Sequence, residues 1–258
     1  MKKILILVLA LIATSATFAQ LNEKADFSDV CSSGQVLYYK IVDDGEVNLW
    51  FHSQYADMLG GYIRVPRSVK YQGRNYIVTG VADNALANCI RVQGIELPNS
   101  VYYIGDMAFY KCTDLSIVYL PKSLTSIGSQ AFEGCTALVD FVMPHSVTEM
   151  GEGVFRNCSN VRHFVISHSL TAIPEDTFNG CSSATDYIIP DRIATIGCNA
   201  FAGNTNLRSI TFFGAVPPTP DPECGDAFNR DIVALYVIQQ SQLKSHKSSL
   251  LLQIINQL

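Results

Sequence analysis

Apolar positions recur with a fixed period of 23 along most of this chain. Residues that recur at the same place in each period form a column, and the most regular column is cysteine, replaced once by asparagine. A second column, three positions earlier, is aromatic and is replaced once by leucine. The two columns are Cys89, Cys112, Cys135, Cys158, Cys181 and Asn204, and Leu86, Phe109, Phe132, Phe155, Phe178 and Phe201, with Phe228 following after a longer interval. A fixed period of this length indicates a solenoid, because one coil cannot bury its own apolar face and must stack on its neighbours.

Each coil contains a short alternating segment that predicts a β-strand. In the copy that begins at Cys112, Val118 and Leu120 lie on either side of Tyr119, which is the period-two pattern of a strand with one buried face. Glycine recurs later in the coil, at Gly128 in this copy, where we expect the chain to bend sharply. The pattern therefore predicts one parallel strand per coil, with like residues stacked about 4.8 Å apart.

The sequence on either side of this regular stack is different. Residues 1–19 combine a basic start, a short apolar run and small residues at their end, which is typical of a cleaved signal peptide. Residues 20–79 alternate as two hairpins, turning at residues 43–45 and 72–73, and predict a β-rich N-terminal cap. Residues 80–213 form the repeats. Residues 214–258 predict a last partial repeat and a C-terminal cap with a short amphipathic helix at 240–251.

The repeat unit resembles the leucine-rich repeat of the Treponema pallidum type found in BspA-like bacterial surface proteins. The residues that carry the resemblance in one copy are Leu115, Val118, Leu120, Pro121, Ile127, Ala131, Phe132 and Cys135, and the match extends over about residues 63–238. Departures are Leu86 for phenylalanine, Ala184 for the first leucine and Asn204 for cysteine. The resemblance implies an α/β solenoid, a right-handed leucine-rich-repeat stack with a β-hairpin N-terminal cap and a short helical C-terminal cap. For some relatives it implies adhesion to host glycoproteins, but it carries over no binding residue.

Charge and hydropathy exclude several classes of protein. Removal of the signal takes away Lys2 and Lys3, which moves the formal charge from −5 to −7. This acidic balance argues against nucleic acid as a partner, because nucleic-acid binders carry basic stripes. No later apolar run is long enough for a membrane helix, so we expect an exported protein, secreted or at the surface of a bacterium, that does not span the membrane.

The eight cysteines allow three interpretations. None stands in a zinc-ligand spacing, and a catalytic thiol would need an orienting histidine, so we expect neither a metal nor a cofactor. The five cysteines of the repeat column are expected to be a buried stack of unpaired thiols. Cys198 and Cys224 lie outside that column at nearly the same turn of adjacent coils, and we predict that they can form a disulfide in an oxidising compartment.

One outward strand column is more apolar than a solvent-facing column needs to be. It reads Glu96, Tyr119, Val142, Val165, Ile188 and Thr211, with Ile117 beside Tyr119 and with Arg162, His163 and Arg208 as a polar rim. β-Branched residues suit a strand whatever they face, which is the alternative explanation. A contiguous exposed apolar stripe is more often a contact surface. The column therefore predicts a binding surface for a partner or a second copy of the chain.

The leading functional hypothesis is an exported, non-catalytic protein that binds a protein or glycoprotein ligand through the solenoid face, with host adhesion as one such role. One alternative is a secreted hydrolase, acting on carbohydrate or peptide, with its site in residues 20–79. Another is a purely structural envelope component. No glycine-rich phosphate loop, Gly-x-Ser-x-Gly elbow or His-Glu-x-x-His sequence occurs in the chain, so no catalytic residue is predicted.

Overall fold

A computed structural model describes residues 25–50, 57–214 and 218–220. The predicted signal peptide, the predicted C-terminal helix and Cys224 lie outside these ranges. Within the described ranges no helix is long and apolar enough to cross a membrane.

Six strands precede the regular repeats, and they include the two hairpins at the predicted places. β2 pairs antiparallel with β1 and β3, and β5 pairs antiparallel with β6 through a turn in which Gln72 and Gly73 both have positive φ. The strands are β1 Phe27–Val30, β2 Val36–Asp43, β3 Glu46–Trp50, β4 Gly61–Arg64, β5 Ser68–Tyr71 and β6 Arg74–Val81. β3 also pairs in parallel with β6, so the hairpins continue a sheet of the repeats. Their role as a cap stays a prediction.

Each coil of the repeats contributes two strands, so the prediction of one strand per coil is wrong. The second strand of each coil is only two residues long, which is too short to show an alternating pattern in the sequence. The first strands are β7 Val92–Glu96, β9 Ile117–Tyr119, β11 Asp140–Val142, β13 His163–Val165, β15 Asp186–Ile189 and β17 Ser209–Phe212. The second strands are two residues long: β8 Tyr103–Ile104, β10 Ser126–Ile127, β12 Glu149–Met150, β14 Ala172–Ile173, β16 Thr195–Ile196 and β18 Thr219–Pro220. We call the outward surface of β4 and of the first strands the strand face.

Strands of successive coils pair in parallel within several short sheets, one repeat period apart. The first strands form the sheets β4-β7-β9, β11-β13 and β15-β17, and the second strands form β8-β10-β12, which continues from β6, and β14-β16-β18. Ile95 pairs with Val118 and Phe141 with Phe164, while Ile104 pairs with Ile127 on the second side. The fold is thus a leucine-rich repeat with parallel strands, as predicted, and it is consistent with a solenoid. Its handedness stays a prediction.

The expected α-helical share of the α/β fold is absent from the described residues. The reason lies in the backbone hydrogen bonds of the segment that joins the second strand of one coil to the first strand of the next. Phe132 N donates to the carbonyl of Val154 at 2.9 Å, and Phe109 N donates to the carbonyl of Ala131 at 2.8 Å. These donors serve the neighbouring coil instead of a residue four positions back, so the segment forms stacked turns rather than a helix.

The core consists of stacked columns of identical side chains. The ring of Phe132 lies between those of Phe109 and Phe155, with centroids 5.0 and 5.9 Å away and planes within 8° of parallel. Inward residues of the first strands meet this stack edge-on, as Phe141 does with the ring of Phe155 at 4.5 Å. The predicted aromatic column is therefore confirmed.

The recurring glycine lies where neighbouring coils approach closely, and its role at a bend stays a prediction. Gly128 does not adopt a left-handed backbone; instead, a Cβ on it would lie 2.6 Å from the backbone nitrogen of Asp106 in the preceding coil. Gly105 is equally close to the backbone nitrogen of Asp83. At these two positions the neighbouring backbones approach too closely for a side chain, although Pro174 occupies the same column two coils after Gly128.

Candidate binding surface

Three apolar side chains of the predicted column form the most exposed part of the strand face. Ile117, Tyr119 and Val142 are 47%, 56% and 48% exposed, although strands β9 and β11 that carry them pack their inward residues into the core. Parallel pairing brings Ile117 beside Gly94, and Tyr119 beside Glu96. The exposed apolar residues are thus held on paired strands rather than on loops.

An aromatic and ionic cluster extends this patch toward the N-terminal region. Tyr62 on β4 lies across Gly94, where a Cβ would be 2.7 Å from its ring. Its hydroxyl donates to Glu96 Oε2 at 3.1 Å, and Arg64 Nε donates to the same oxygen at 2.9 Å. Burial and the hydrogen bond to Glu96 raise the pKa of Tyr62, so its hydroxyl stays a donor.

The sequence analysis missed Tyr62 and Arg64 for an identifiable reason. They pair with Gly94 and Glu96 at a wider separation than the repeat period, because the β5–β6 hairpin is inserted between β4 and β7. The repeat spacing therefore does not align them. The signal that could have found them is the strand-like residues 63–66 just before the hairpin.

Toward the C-terminal repeats the column is less exposed. Val165, Ile188 and Thr211 are half-buried, and Ile188 lies in register with Thr211 in the paired strands β15 and β17. These residues continue the column on β13, β15 and β17 with less exposed surface.

The three predicted rim residues come together at one cleft. Arg162, His163 and Arg208 are exposed and line a cavity of about 280 Å³ together with Ser183, Thr185 and Asn206. The arginines are held at their backbones, since Arg162 N donates to the carbonyl of Val139 and Arg208 N to that of Thr185, both at 2.8 Å. Their sequence separation of two coils places Thr185 between them.

A second cleft of about 360 Å³ lies between the N-terminal strands and the first repeat. Its polar lining is formed by Gln35, Arg91, Gln93 and Asp114. Gln35 Nε2 donates to the carbonyl of Gly60 at 2.8 Å, and Arg91 Nη1 donates to that of Asp57 at 3.2 Å. Two polar groups of the lining therefore bind backbone, and the lining contains one carboxylate and no nucleophile paired with a base.

The thiols of the repeat column are buried and unpaired. All five are free cysteines without exposed surface, and burial raises the pKa of Cys89 and of Cys158 to about 12. A thiol that does not ionise near neutral pH is a poor nucleophile and metal ligand. The expected buried stack is confirmed.

Cys198 is disulfide-bonded. Its predicted partner, Cys224, lies outside the described residues, so the pairing of these two stays a prediction. Elsewhere in the described chain, no three His, Cys, Asp or Glu side chains come together as a metal site requires. The rings of the two stacked histidines, His145 and His168, lie 5.2 Å apart.

Known proteins resemble this chain in sequence and fold. The model of the BspA type leucine rich repeat region matches residues 79–208 in six copies. The crystal structure of the T. pallidum leucine-rich repeat protein is 25% identical over 71% of this chain and 82% of that one, with a TM-score of 0.62. A leucine rich cell surface protein of Faecalibacterium prausnitzii has the same fold at 24% identity and a TM-score of 0.54, over 74% of this chain and 56% of that one. No curated protein matches the chain significantly.

Proposed function

Since the chain belongs to the BspA-type leucine-rich repeat family, we propose that it is a non-catalytic binding protein that recognises a protein or glycoprotein through its strand face. The observation that carries this proposal is the exposed apolar patch of Tyr62, Ile117, Tyr119 and Val142 on paired strands. Solenoids use such extended surfaces for recognition.

The chemistry of the patch suits a macromolecular partner. Contact surfaces place tyrosines and apolar residues at the centre and polar or charged residues at the rim. Here Ile117 and Tyr119 are central, Tyr62 and the Arg64–Glu96 pair border one side, and Arg162 and Arg208 border the other. The strands fix the backbone of the patch, so little order has to be gained on binding.

Export to the cell surface belongs to the same proposal. It is supported by the signal-like residues 1–19 and by the F. prausnitzii relative, which is described as a cell surface protein. An exported protein of this kind meets host or neighbouring-cell glycoproteins, and adhesion is the role we propose.

The test is a triple variant of the strand face, Tyr119→Ser, Val142→Ser and Ile188→Ser. Mature wild-type chain and variant are compared for binding to a panel of immobilised extracellular-matrix glycoproteins and, by sedimentation, for self-association. The matched control replaces Tyr102, Ile90 and Val30 with serine; these exposed side chains lie off the strand face.

We expect the strand-face variant to lose binding while the control keeps it, with both variants folded by circular dichroism. Equal binding by a folded strand-face variant contradicts the proposal. Loss of self-association alone would identify the partner as a second copy of the chain.

A further inference from the structure

The cleft between Arg162 and Arg208 has a charge pattern that the apolar patch does not explain. Among the described residues neither guanidinium makes an ion pair, whereas Arg64 and Arg156 are both paired with carboxylates. The lining contains no carboxylate. Two uncompensated guanidinium groups facing one cavity attract an anionic group, and arginine suits a carboxylate because its planar fork can donate two parallel hydrogen bonds.

Nearby acids limit how much negative charge the cleft can accept. Asp186 lies just outside the lining and accepts a hydrogen bond from Thr185 Oγ1 at 2.7 Å, and Asp140 pairs in register with His163. Both aspartates are exposed on the strand face. Together with the acidic balance of the whole chain, they favour a ligand that carries a single negative charge over a polyanion.

The uncharged side chains of the cleft present hydrogen-bond acceptors. Asn206 Nδ2 donates one of its two protons to the carbonyl of Ser182 at 2.8 Å, which leaves Oδ1 free to accept and the second N–H free to donate. Thr185 donates its hydroxyl proton to Asp186, which leaves its oxygen as an acceptor too. The Ser183 hydroxyl has no partner among the described residues and can donate or accept. These acceptors add a preference for a ligand that carries hydroxyl groups beside its anionic group.

We infer that this cleft binds a carboxylated monosaccharide unit, a uronic or sialic acid residue of an acidic glycan. The guanidinium groups take the carboxylate, and Asn206 and Thr185 accept from ring hydroxyls. A volume of about 280 Å³ holds one sugar unit rather than a chain. This inference rests on the proposed binding role of the strand face and names what its rim recognises in a glycoprotein partner.

The test is an NMR titration of the isotope-labelled mature chain with N-acetylneuraminic acid and D-glucuronic acid. Neutral counterparts, the methyl ester of the first and D-glucose for the second, report the need for the carboxylate. Inorganic phosphate, glutarate and an oligoglutamate peptide report whether a simple anion or an acidic peptide is bound instead. Arg162→Gln and Arg208→Gln are compared with Arg192→Gln, an exposed arginine outside the cleft.

We expect one of the two acidic sugars to bind at least about tenfold more tightly than its neutral counterpart and than the simple anions. Each cleft variant should weaken that binding at least about tenfold, because it removes a charge-assisted contact, while Arg192→Gln leaves it unchanged.

Any of three results overturns the inference. The first is that neither acidic sugar binds at a concentration of about 10 mM, which is above the Kd of an ordinary weak complex. The others are that the neutral sugars bind as tightly as the acidic ones, or that phosphate, glutarate or the peptide does. None of these results affects the outcome of the Tyr119, Val142 and Ile188 variant on glycoprotein binding. Conversely, if the acidic sugar binds but the triple variant still binds glycoproteins like the wild type, only the proposed role of the apolar patch is contradicted.

Discussion

Four cysteines of the repeat column donate a hydrogen bond to the preceding coil: Cys112, Cys135, Cys158 and Cys181. The thiol of Cys135 donates to the carbonyl of Phe109 in the preceding coil at 3.1 Å. In the sixth copy Asn204 does the same, since its Nδ2 donates to the carbonyl of Phe178 at 2.8 Å. Both residue types give a second hydrogen bond to a buried carbonyl, since Phe109 O already accepts from Cys112 N and Phe178 O from Cys181 N. The Tyr187 hydroxyl donates to Asn204 Oδ1 at 2.7 Å and so satisfies the acceptor that asparagine adds.

Phe132→Ala should cost about 3–5 kcal/mol of unfolding free energy, because it opens a cavity inside the aromatic stack. Urea unfolding of the mature chain measures this loss. Tyr119→Ala removes an equally large but exposed aromatic ring and serves as the control. An unchanged melting temperature for Phe132→Ala would refute the assigned register.

The buried thiols should make the fold less stable at alkaline pH. Burial raises the pKa of the Cys158 thiol to about 12, whereas a thiol in an unfolded chain ionises near pH 8.5, roughly. Because the pKa is higher in the folded chain, the contribution of the protonated thiol to the free energy of unfolding is complete below about pH 8.5. It is lost as the pH rises toward about 12, at about 1.4 kcal/mol per pH unit.

The free energy of unfolding of the wild type should therefore fall more steeply above about pH 8.5, by about that slope, than that of Cys158→Ala. Chemical denaturation at several alkaline pH values measures both slopes. Parallel slopes would mean that the thiol is ionised in the folded chain.

At the scale of the element, neighbouring turns are joined by side chains that reach one coil along. Asp83 Oδ1 accepts from the backbone nitrogen of Asp106 at 2.8 Å, and Asp106 Oδ1 accepts from that of Ser129 at 2.6 Å. The same turns approach so closely that a Cβ on Gly128 would lie 2.6 Å from the backbone nitrogen of Asp106. Turn chemistry and the glycine column are therefore two parts of one arrangement.

Gly128→Ala should destabilise the fold by about 1–3 kcal/mol, because the added Cβ meets backbone atoms that cannot move aside singly. Thermal unfolding measures the loss against Lys122→Ala, an exposed turn residue of the same coil. A variant as stable as that control would show that the coils can separate without cost.

At the scale of the whole molecule, the 23-residue period predicted those features that recur once in every coil. The aromatic stack, the thiol column and the parallel register all follow from the regular spacing, since stacking places like residues over like. Tyr62 was missed because the β5–β6 hairpin breaks the spacing. The cleft was only half predicted: Arg162, His163 and Arg208 were assigned to one rim, but Ser183 and Asn206 were not considered. These two residues are one period apart, so the spacing that placed the arginines also places them side by side.

A disulfide between Cys198 and Cys224 would join the last regular coil to the chain beyond residue 220. Closing a loop of that length stabilises a fold by about 3 kcal/mol in the chain-entropy model. Peptide mapping without reduction should find a linked pair of peptides containing these two cysteines. The reductant-induced fall in melting temperature should disappear in Cys198→Ala. Linkage of Cys198 to any other cysteine would disprove the pairing.

The central claim is that the strand face makes the contact with the partner. Site-specific photo-cross-linking tests it most directly, with a photoreactive phenylalanine at Tyr119 and, as control, at Tyr102, which is exposed next to the second strands. With a glycoprotein that the mature chain binds, or with the chain itself if it self-associates, we expect cross-links from position 119 and none from position 102. Cross-links from position 102 alone, or equally from both, would contradict the claim.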